Sequence, residues 1–214
     1  MVIWLKSVLI AVLGYLLGNI SVGIMIARLY GIRDIRKLGS GNAGSTNVLR
    51  NLGWVPSVMT LVGDCLKALI ATLVGKWLAG DMGLLIGGSC AILGHDFPIF
   101  FKFKGGKGIA SALGMILIIS PWLGLGLLAV VVAVAGITGY ISLGSVIVCF
   151  LYPISIAFMK YGSAHYAAYM VFTILASLLT LFQHRKNIQR LIRGEENKLD
   201  FSKISKIRSK INKH

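Results

Sequence analysis

Apolar residues run along this chain in long blocks, and polar residues gather in the gaps between them. A block of ~20 apolar residues is the length that crosses a hydrocarbon layer as a helix. Val8 to Ala27 is the first such block. No small-residue cleavage motif follows it, so it reads as a retained span rather than a signal peptide. Val55 to Ala79 is the second, flanked by Trp54 and Trp77. Indoles favour headgroup depth, and this pair would stand ~35 Å apart along a helix. The turn Gly80-Asp81-Met82-Gly83 leads into a third block ending near Phe101. Ile109 to Ile119 is apolar but too short for a full span, and Ser120-Pro121 breaks it. Trp122 to Ile137, Tyr140 to Met159 and Ala164 to Phe182 complete the set, and a charged tail begins at His184.

Composition agrees with this pattern. Hydrophobic residues make up 56% of the 214. A soluble domain of that size cannot hide so much apolar surface, whereas a bilayer can. The fold class is therefore all-α, a polytopic transmembrane helical bundle, and it is expected in the cytoplasmic (inner) membrane. Net charge is +15, from 22 basic and 7 acidic residues. Those charges sit between apolar runs, which suits the positive-inside rule better than a nucleic-acid partner. An anionic substrate would also be drawn to them. Arg33, Arg36, Lys37 and Arg50, then Lys102, Lys104 and Lys107, then the tail carry most of the charge; the opposite turns carry little beyond Lys76 and Lys160. Both loops and the tail are thus expected in the cytoplasm, and the N-terminus outside. This demands an even number of crossings between Lys107 and His184. Four give seven helices, the reading favoured by the breaks at Pro121, Gly136 to Gly139 and Lys160 to Gly162; two long ones give five. The expected organisation is a transmembrane domain over residues 1–183, with cytoplasmic loops 31–53 and 102–108, and a basic cytoplasmic tail over 184–214. Cys65, Cys90 and Cys149 lie within apolar runs without metal-type spacing and read as small hydrophobes.

Three polar clusters carry candidate chemistry. In the first, Gly39-Ser40-Gly41-Asn42-Ala43-Gly44 leads into Ser45-Thr46-Asn47-Val48-Leu49-Arg50. Its glycines free the backbone to present N–H groups to an anion. Ser40, Asn42, Thr46 and Asn47 add neutral hydrogen-bonding groups, and Arg50 grips phosphate bidentately. The same segment also reads as a plain polar loop with a helix N-cap. The second cluster, Lys104-Gly105-Gly106-Lys107-Gly108, opens onto an apolar helical run, a good phosphate cradle. It is no Walker A loop, because Phe101 and Gly108 stand where that pattern needs Gly and a hydroxyl. Its plainer reading is a positive-inside anchor. The third cluster runs from His184 through Arg185, Asn187 and Arg190 to Glu196; on a helix, His184 and Asn187 share a face. Each cluster is weak alone. Together on one side of the membrane they suit a site for phosphate-bearing substrates.

Asp64 and Lys67 lie three apart inside the second block, where ionisable groups are costly and usually paired; a structural pair is the favoured reading. His95 and Asp96 either line the site or shape a helix end. No role is assigned to His165. In the tail, Ile204, Ile207 and Ile211 fall at helical spacing among lysines, which suits either anionic lipid or a loose basic segment.

These clusters resemble the acyl-phosphate-dependent glycerol-3-phosphate acyltransferases. The family pattern Gly-Ser-Gly-Asn-x-Gly-Ala-Thr-Asn-x-x-Arg matches from Gly39 to Arg50, with Ser45 where Ala is usual. Gly-His-x-x-Pro followed by Phe-Lys-Gly-Gly-Lys-Gly matches from Gly94 to Gly108, and His-Arg-x-Asn-Ile-x-Arg-Leu followed by Gly-x-Glu matches from His184 to Glu196. The resemblance implies seven transmembrane helices, a cytoplasmic site and acyl transfer to glycerol 3-phosphate, giving lysophosphatidic acid in phospholipid synthesis. It implies acyl phosphate as donor and leaves open contact with the soluble enzyme that makes acyl phosphate; no cofactor is expected, and the few acidic residues are too scattered for a metal cluster. Soluble-type glycerol-phosphate acyltransferases carry Asp five residues after His; here those positions hold Phe100, Met170 and Gln189.

An acyl phosphate is a mixed anhydride with an activated carbonyl, so alignment and charge stabilisation suffice. The expected division of labour puts one phosphate on Gly105, Gly106, Lys107 and Gly108. Ser40, Arg50, Lys104, His184 and Asn187 are expected to hold the other substrate and polarise the carbonyl. Gly41, Asn42, Thr46, Asn47, Arg185 and Glu196 are expected to support phosphate binding. The attacking hydroxyl's proton goes to His184 or to the departing phosphate; a rival version makes Ser40 a nucleophile. Two other classes compete: an anion transporter, which would show polarity at the bilayer midplane, and a lipid-binding scaffold.

Overall fold

The structure, a computed structural model, describes residues 2–199. The expectation for the isoleucine-bearing tail falls almost wholly outside them. Among the described residues there are helices and no strand. In chain order they are α1 (Val2–Gly18), α2 (Val22–Leu29), α3 (Ser45–Leu52), α4 (Trp54–Asp96), α5 (Ile109–Ile119), α6 (Pro121–Thr138), α7 (Ile141–Met159), α8 (Tyr166–Gln183) and α9 (Arg185–Ile192). Among the described residues five stretches are long and apolar enough to cross a membrane: Trp4–Leu29, Trp54–Phe101, Pro121–Thr138, Ile141–Met159 and Tyr166–Gln183.

The first of these is not one unbroken helix, as the apolar pattern alone predicts. It stops at Gly18 and restarts at Val22. Asn19 supplies the reason. Its side-chain amide donates to the Tyr15 carbonyl at 2.6 Å while its Oδ1 accepts from the Ile99 N–H at 2.6 Å. A buried Asn competing for backbone groups in this way favours a break over a helix interior.

The 43-residue α4 also breaks, at Ala79 (φ −149°, ψ 29°) and Gly80 (φ 59°, ψ −143°). Beyond that point the chain folds back along itself. A methyl group added to Gly75 would come within 2.1 Å of the Gly83 carbonyl oxygen, and one on Gly87 within 2.5 Å of that of Ala71. The two arms of α4 therefore form an antiparallel hairpin whose seam tolerates only small residues, a device suited to apolar solvent where close backbone contact replaces hydrophobic driving force. α1 packs along the second arm in the same manner, with Gly18 against Ala91.

α5 has 11 residues, about 16 Å of helix against ~30 Å of hydrocarbon. It lies beside the first arm of α4, where Gly114 faces the Cys65 carbonyl. The Ser120 side chain accepts from Leu123 N and Pro121 occupies the first turn, so α6 starts at once. Leu84, Leu85, Ile92, Met115, Ile116, Leu127, Val148, Tyr152, Ile156 and Tyr169 form the main core, drawn from α4 to α8. Outward positions such as Trp122 and Ile137 are more than four-fifths exposed, as lipid-facing side chains are. The described part of the tail folds back over one end of the bundle, with Leu199 N donating to Gly139 O at 2.8 Å.

Candidate active site

The three polar clusters meet at that end. Asn47 builds the first. Its side chain is 1% exposed, its Nδ2 is shared among the carbonyls of Ile35, Leu38 and Asn42, and its Oδ1 accepts from Ser40 N at 2.9 Å. An amide so fully engaged is a post for the loop rather than a ligand for substrate. Asn42 accepts from Gly44 N and donates across to Gly105 O at 3.2 Å, tying the first cluster to the second. Arg36 makes a parallel tie. Asp34 clamps its guanidinium through two side-chain contacts, and its Nη1 donates to the carbonyls of Phe101 and Lys104. Those contacts hold the Asp34 carboxyl down at about 2.

In the second cluster the glycines serve close approach. Gly105 N donates to Asp96 O at 3.2 Å and Gly106 N to His95 O at 3.0 Å. A methyl on Gly106 would fall 1.8 Å from the His95 ring. With both N–H groups spent on the end of α4, the phosphate cradle expected of Gly105 and Gly106 is not formed by this backbone. Lys104 is exposed and lines neither cavity at this end; its carbonyl serves Arg36. Gly108, in the left-handed region at φ 82°, turns the chain into α5 and does line the cavity, as does Lys107. Lys107 Nζ donates to Asn187 Oδ1. Burial lowers its ammonium to about 8, while the Glu196 charge opposes that fall.

The third cluster closes the site. His184 is 4% exposed and its Nδ1 lies 2.8 Å from the Thr180 carbonyl. A carbonyl only accepts, so Nδ1 carries the proton and Nε2 is left as a lone-pair acceptor. Burial, and then the Lys107 charge, push this imidazole down to about 4, which keeps it neutral near pH 7. Asn187 Nδ2 and Arg190 Nε each donate to the Glu196 carboxylate, at 2.9 and 2.8 Å. Glu196 therefore positions its neighbours; a carboxylate spent on both oxygens would repel phosphate rather than bind it. Arg50 Nη2 donates to the Asn197 carbonyl at 2.8 Å, and its buried Nε meets no partner among the described residues. Arg185 donates to Phe182 O and stacks on the Phe182 ring.

Two adjoining cavities result. One, of about 430 Å³, is lined at its mouth by Ser40, Thr46, Arg50, Lys107, His184 and Asn187, and by apolar side chains of α4 to α8 farther in. The other, of about 190 Å³, is lined by Ser40, Gly41, Asn42, Lys107, Asn187 and basic residues including Arg185 and Arg190. Ser40, Asn42, Lys107 and Asn187 belong to both. The arrangement offers unspent cationic donors and a neutral imidazole beside an apolar slot.

A profile of the glycerol-3-phosphate acyltransferase family matches residues 8–194. The chain belongs to the glycerol-3-phosphate acyltransferase family. A glycerol-3-phosphate acyltransferase of Thermoanaerobacter pseudethanolicus is 41% identical over 195 residues, spanning 90% of this chain and 96% of that protein. One from Geobacter sulfurreducens is 40% identical over 91% of this chain and 98% of its own. Among solved structures, the integral membrane glycerol 3-phosphate acyltransferase PlsY in its glycerol 3-phosphate form superposes with a TM-score of 0.82 at 34% identity, covering 92% of this chain and 98% of that one. Its lysophosphatidic acid form gives 0.80 at 33%. This acyltransferase family member is accordingly an integral membrane protein.

One buried group is larger than its sequence spacing shows. Lys67 Nζ reaches Asp64 Oδ1 at 2.8 Å, His95 Nδ1 at 2.9 Å and the Ile20 carbonyl at 2.6 Å. Asp64 and His95 line the larger cavity. Spacing linked Asp64 to Lys67, but nothing in the sequence pattern brought His95 and the α1–α2 break to the same ammonium. Asp96 is buried and lines neither cavity; its carboxylate lies beside Gly108 at the start of α5.

Proposed function

We propose that this chain transfers an acyl group from acyl phosphate to glycerol 3-phosphate, releasing lysophosphatidic acid and phosphate in the cytoplasmic membrane. The observation that carries this is the junction of the two cavities: a basic pocket and an apolar slot share Ser40, Asn42, Lys107 and Asn187. A reaction joining a phosphorylated alcohol to a fatty acyl chain needs that adjacency. The glycerol oxygen attacks the carbonyl carbon, the anhydride C–O bond breaks, and phosphate leaves with the electron pair. Lys107 and Arg50 stabilise phosphate charge through charge-assisted hydrogen bonds. Asn187, held by Glu196, orients Lys107. The hydroxyl proton passes to His184 Nε2 or to the departing phosphate, and Ser40 at the rim polarises rather than attacks.

The topology that goes with this reading has seven crossings: the α1–α2 segment, the two arms of α4, then α5, α6, α7 and α8. The N-terminus lies outside, and the basic loops, the site and the tail face the cytoplasm. α5 reaches its depth beside other protein. The basic rim would also receive the soluble enzyme that makes acyl phosphate. A transporter needs a path through the bundle, whereas this slot ends on the packed core.

Purified protein supplied with glycerol 3-phosphate and hexadecanoyl phosphate should form lysophosphatidic acid. Hexadecanoyl-CoA and hexadecanoyl acyl carrier protein should give none. Product from either thioester in place of the phosphate would overturn the donor assignment. Cysteines placed beside Arg50, Lys107 and His184 should all label from the cytoplasmic side; labelling from opposite sides would remove the shared site.

A further inference from the structure

The larger cavity has a direction. α4 enters it at Trp54, α5 at Ile109, α7 at Ile141 and α8 at its His184 end, and each runs inward from the polar mouth. Ile141 and Tyr152 both line it, so along α7 it descends about 16 Å. Above its deepest turn its walls include lipid-facing side chains, Val58 at 50% and Val132 at 62% exposure. At depth this changes. Ile116, Leu127, Val148 and Tyr152 line the cavity and are all buried. The same four belong to the main core, where they join Met115, Ile156 and Tyr169. The slot is thus open to lipid above and closed below by packed side chains.

We infer that Leu127 and Tyr152 form a floor that sets how long an acyl chain this enzyme accepts. This rests on the reading that the slot holds the acyl chain. A chain that reaches the floor fills the slot. A longer one has to displace core side chains packed at crystal-like density, which costs free energy. A shorter one leaves apolar volume empty and forfeits the burial of its missing methylenes.

Two variants move the floor in opposite directions. Leu127→Ala deepens the slot. Ala176→Leu, at a partly buried wall position that also packs on the core, fills it. The readout is the ratio of initial rates with octadecanoyl and dodecanoyl phosphate, taken within each variant so that any general loss of activity cancels. Leu127→Ala should raise the ratio and Ala176→Leu lower it, by about fourfold for each methylene admitted or refused. An unchanged ratio in both, or a shift of the same sign in both, overturns the floor. Filling a slot opens no hole in the core, so Ala176→Leu decides the matter where Leu127→Ala does not fold. If the parent protein makes no product from any acyl phosphate, the donor assignment falls first and the floor falls with it.

Discussion

The protein buries cationic groups in two places, and they are built differently. Inside the bundle, the Lys67 ammonium forms an ion pair with Asp64, donates to the Ile20 carbonyl and meets His95 Nδ1. Its charge is thus paired by a carboxylate inside the protein, and the cluster ties the α1–α2 break to both arms of α4. At the mouth, Lys107 has three donors, yet among the described residues its Nζ makes one hydrogen bond, to Asn187, and the buried Arg50 Nε meets no partner. An ammonium or guanidinium held half-satisfied in partial burial is costly. It is maintained where an anion completes it. The ammonium paired with a carboxylate stabilises the fold; the one held by a neutral amide is left to bind an anion.

That contrast is open to attack. The largest effect is expected from Lys67→Met, which leaves Asp64 buried without its counter-charge and should cost roughly 3–5 kcal/mol of stability. Thermal unfolding in detergent measures it, and Asp64→Asn combined with Lys67→Met should recover much of the loss. A Lys67→Met protein of parental stability would mean the pair is not structural. Next come Lys107→Ala and Arg50→Ala. Each removes a charge-assisted contact of about 1.5–3 kcal/mol, so kcat/KM should fall at least ~tenfold while the melting temperature stays near that of the parent. Near-normal turnover in either would detach that residue from the site. Glu196→Gln keeps shape but weakens the hold on Asn187 and Arg190, for a loss of about fivefold in the same assay.

The smallest effect is on pH dependence. Lys107 is held down to about 8 and His184 to about 4. Phosphate binding needs the ammonium charged, so kcat/KM for glycerol 3-phosphate should halve as pH rises through about 8. It should fall again as pH drops through about 4, where His184 gains a proton. Lys107→Arg, always charged, should move the alkaline limb outward. An unmoved limb would assign it to another group.

Much of the architecture was legible because it follows from hydrophobic blocks long enough to span, and from the turns between them. Asn19 was harder to weigh. One amide in an apolar run reads as tolerable until its partner, the Ile99 N–H, is known to lie alongside. The hairpin of α4 was legible as two blocks, although the glycine seam that closes it was not. The site was legible in membership more than in roles. Lys107, Arg50, His184 and Asn187 gather at one mouth. Gly105 and Gly106 sit beside it for a different reason, the closeness of His95, and Lys104 turns away.

Residue types and their spacing by themselves determined that this is a helical membrane protein with basic, glycine-bearing segments suited to phosphate. Those properties depend on the length of apolar runs and on local chemistry, and both are written along the chain. Only the tertiary structure decided which donors are already spent. A hydrogen bond's partner here lies tens of residues away, 28 from Lys67 to His95 and 80 from Lys107 to Asn187. Whether a buried charge is a strut or a binding group depends on what packing brings opposite it.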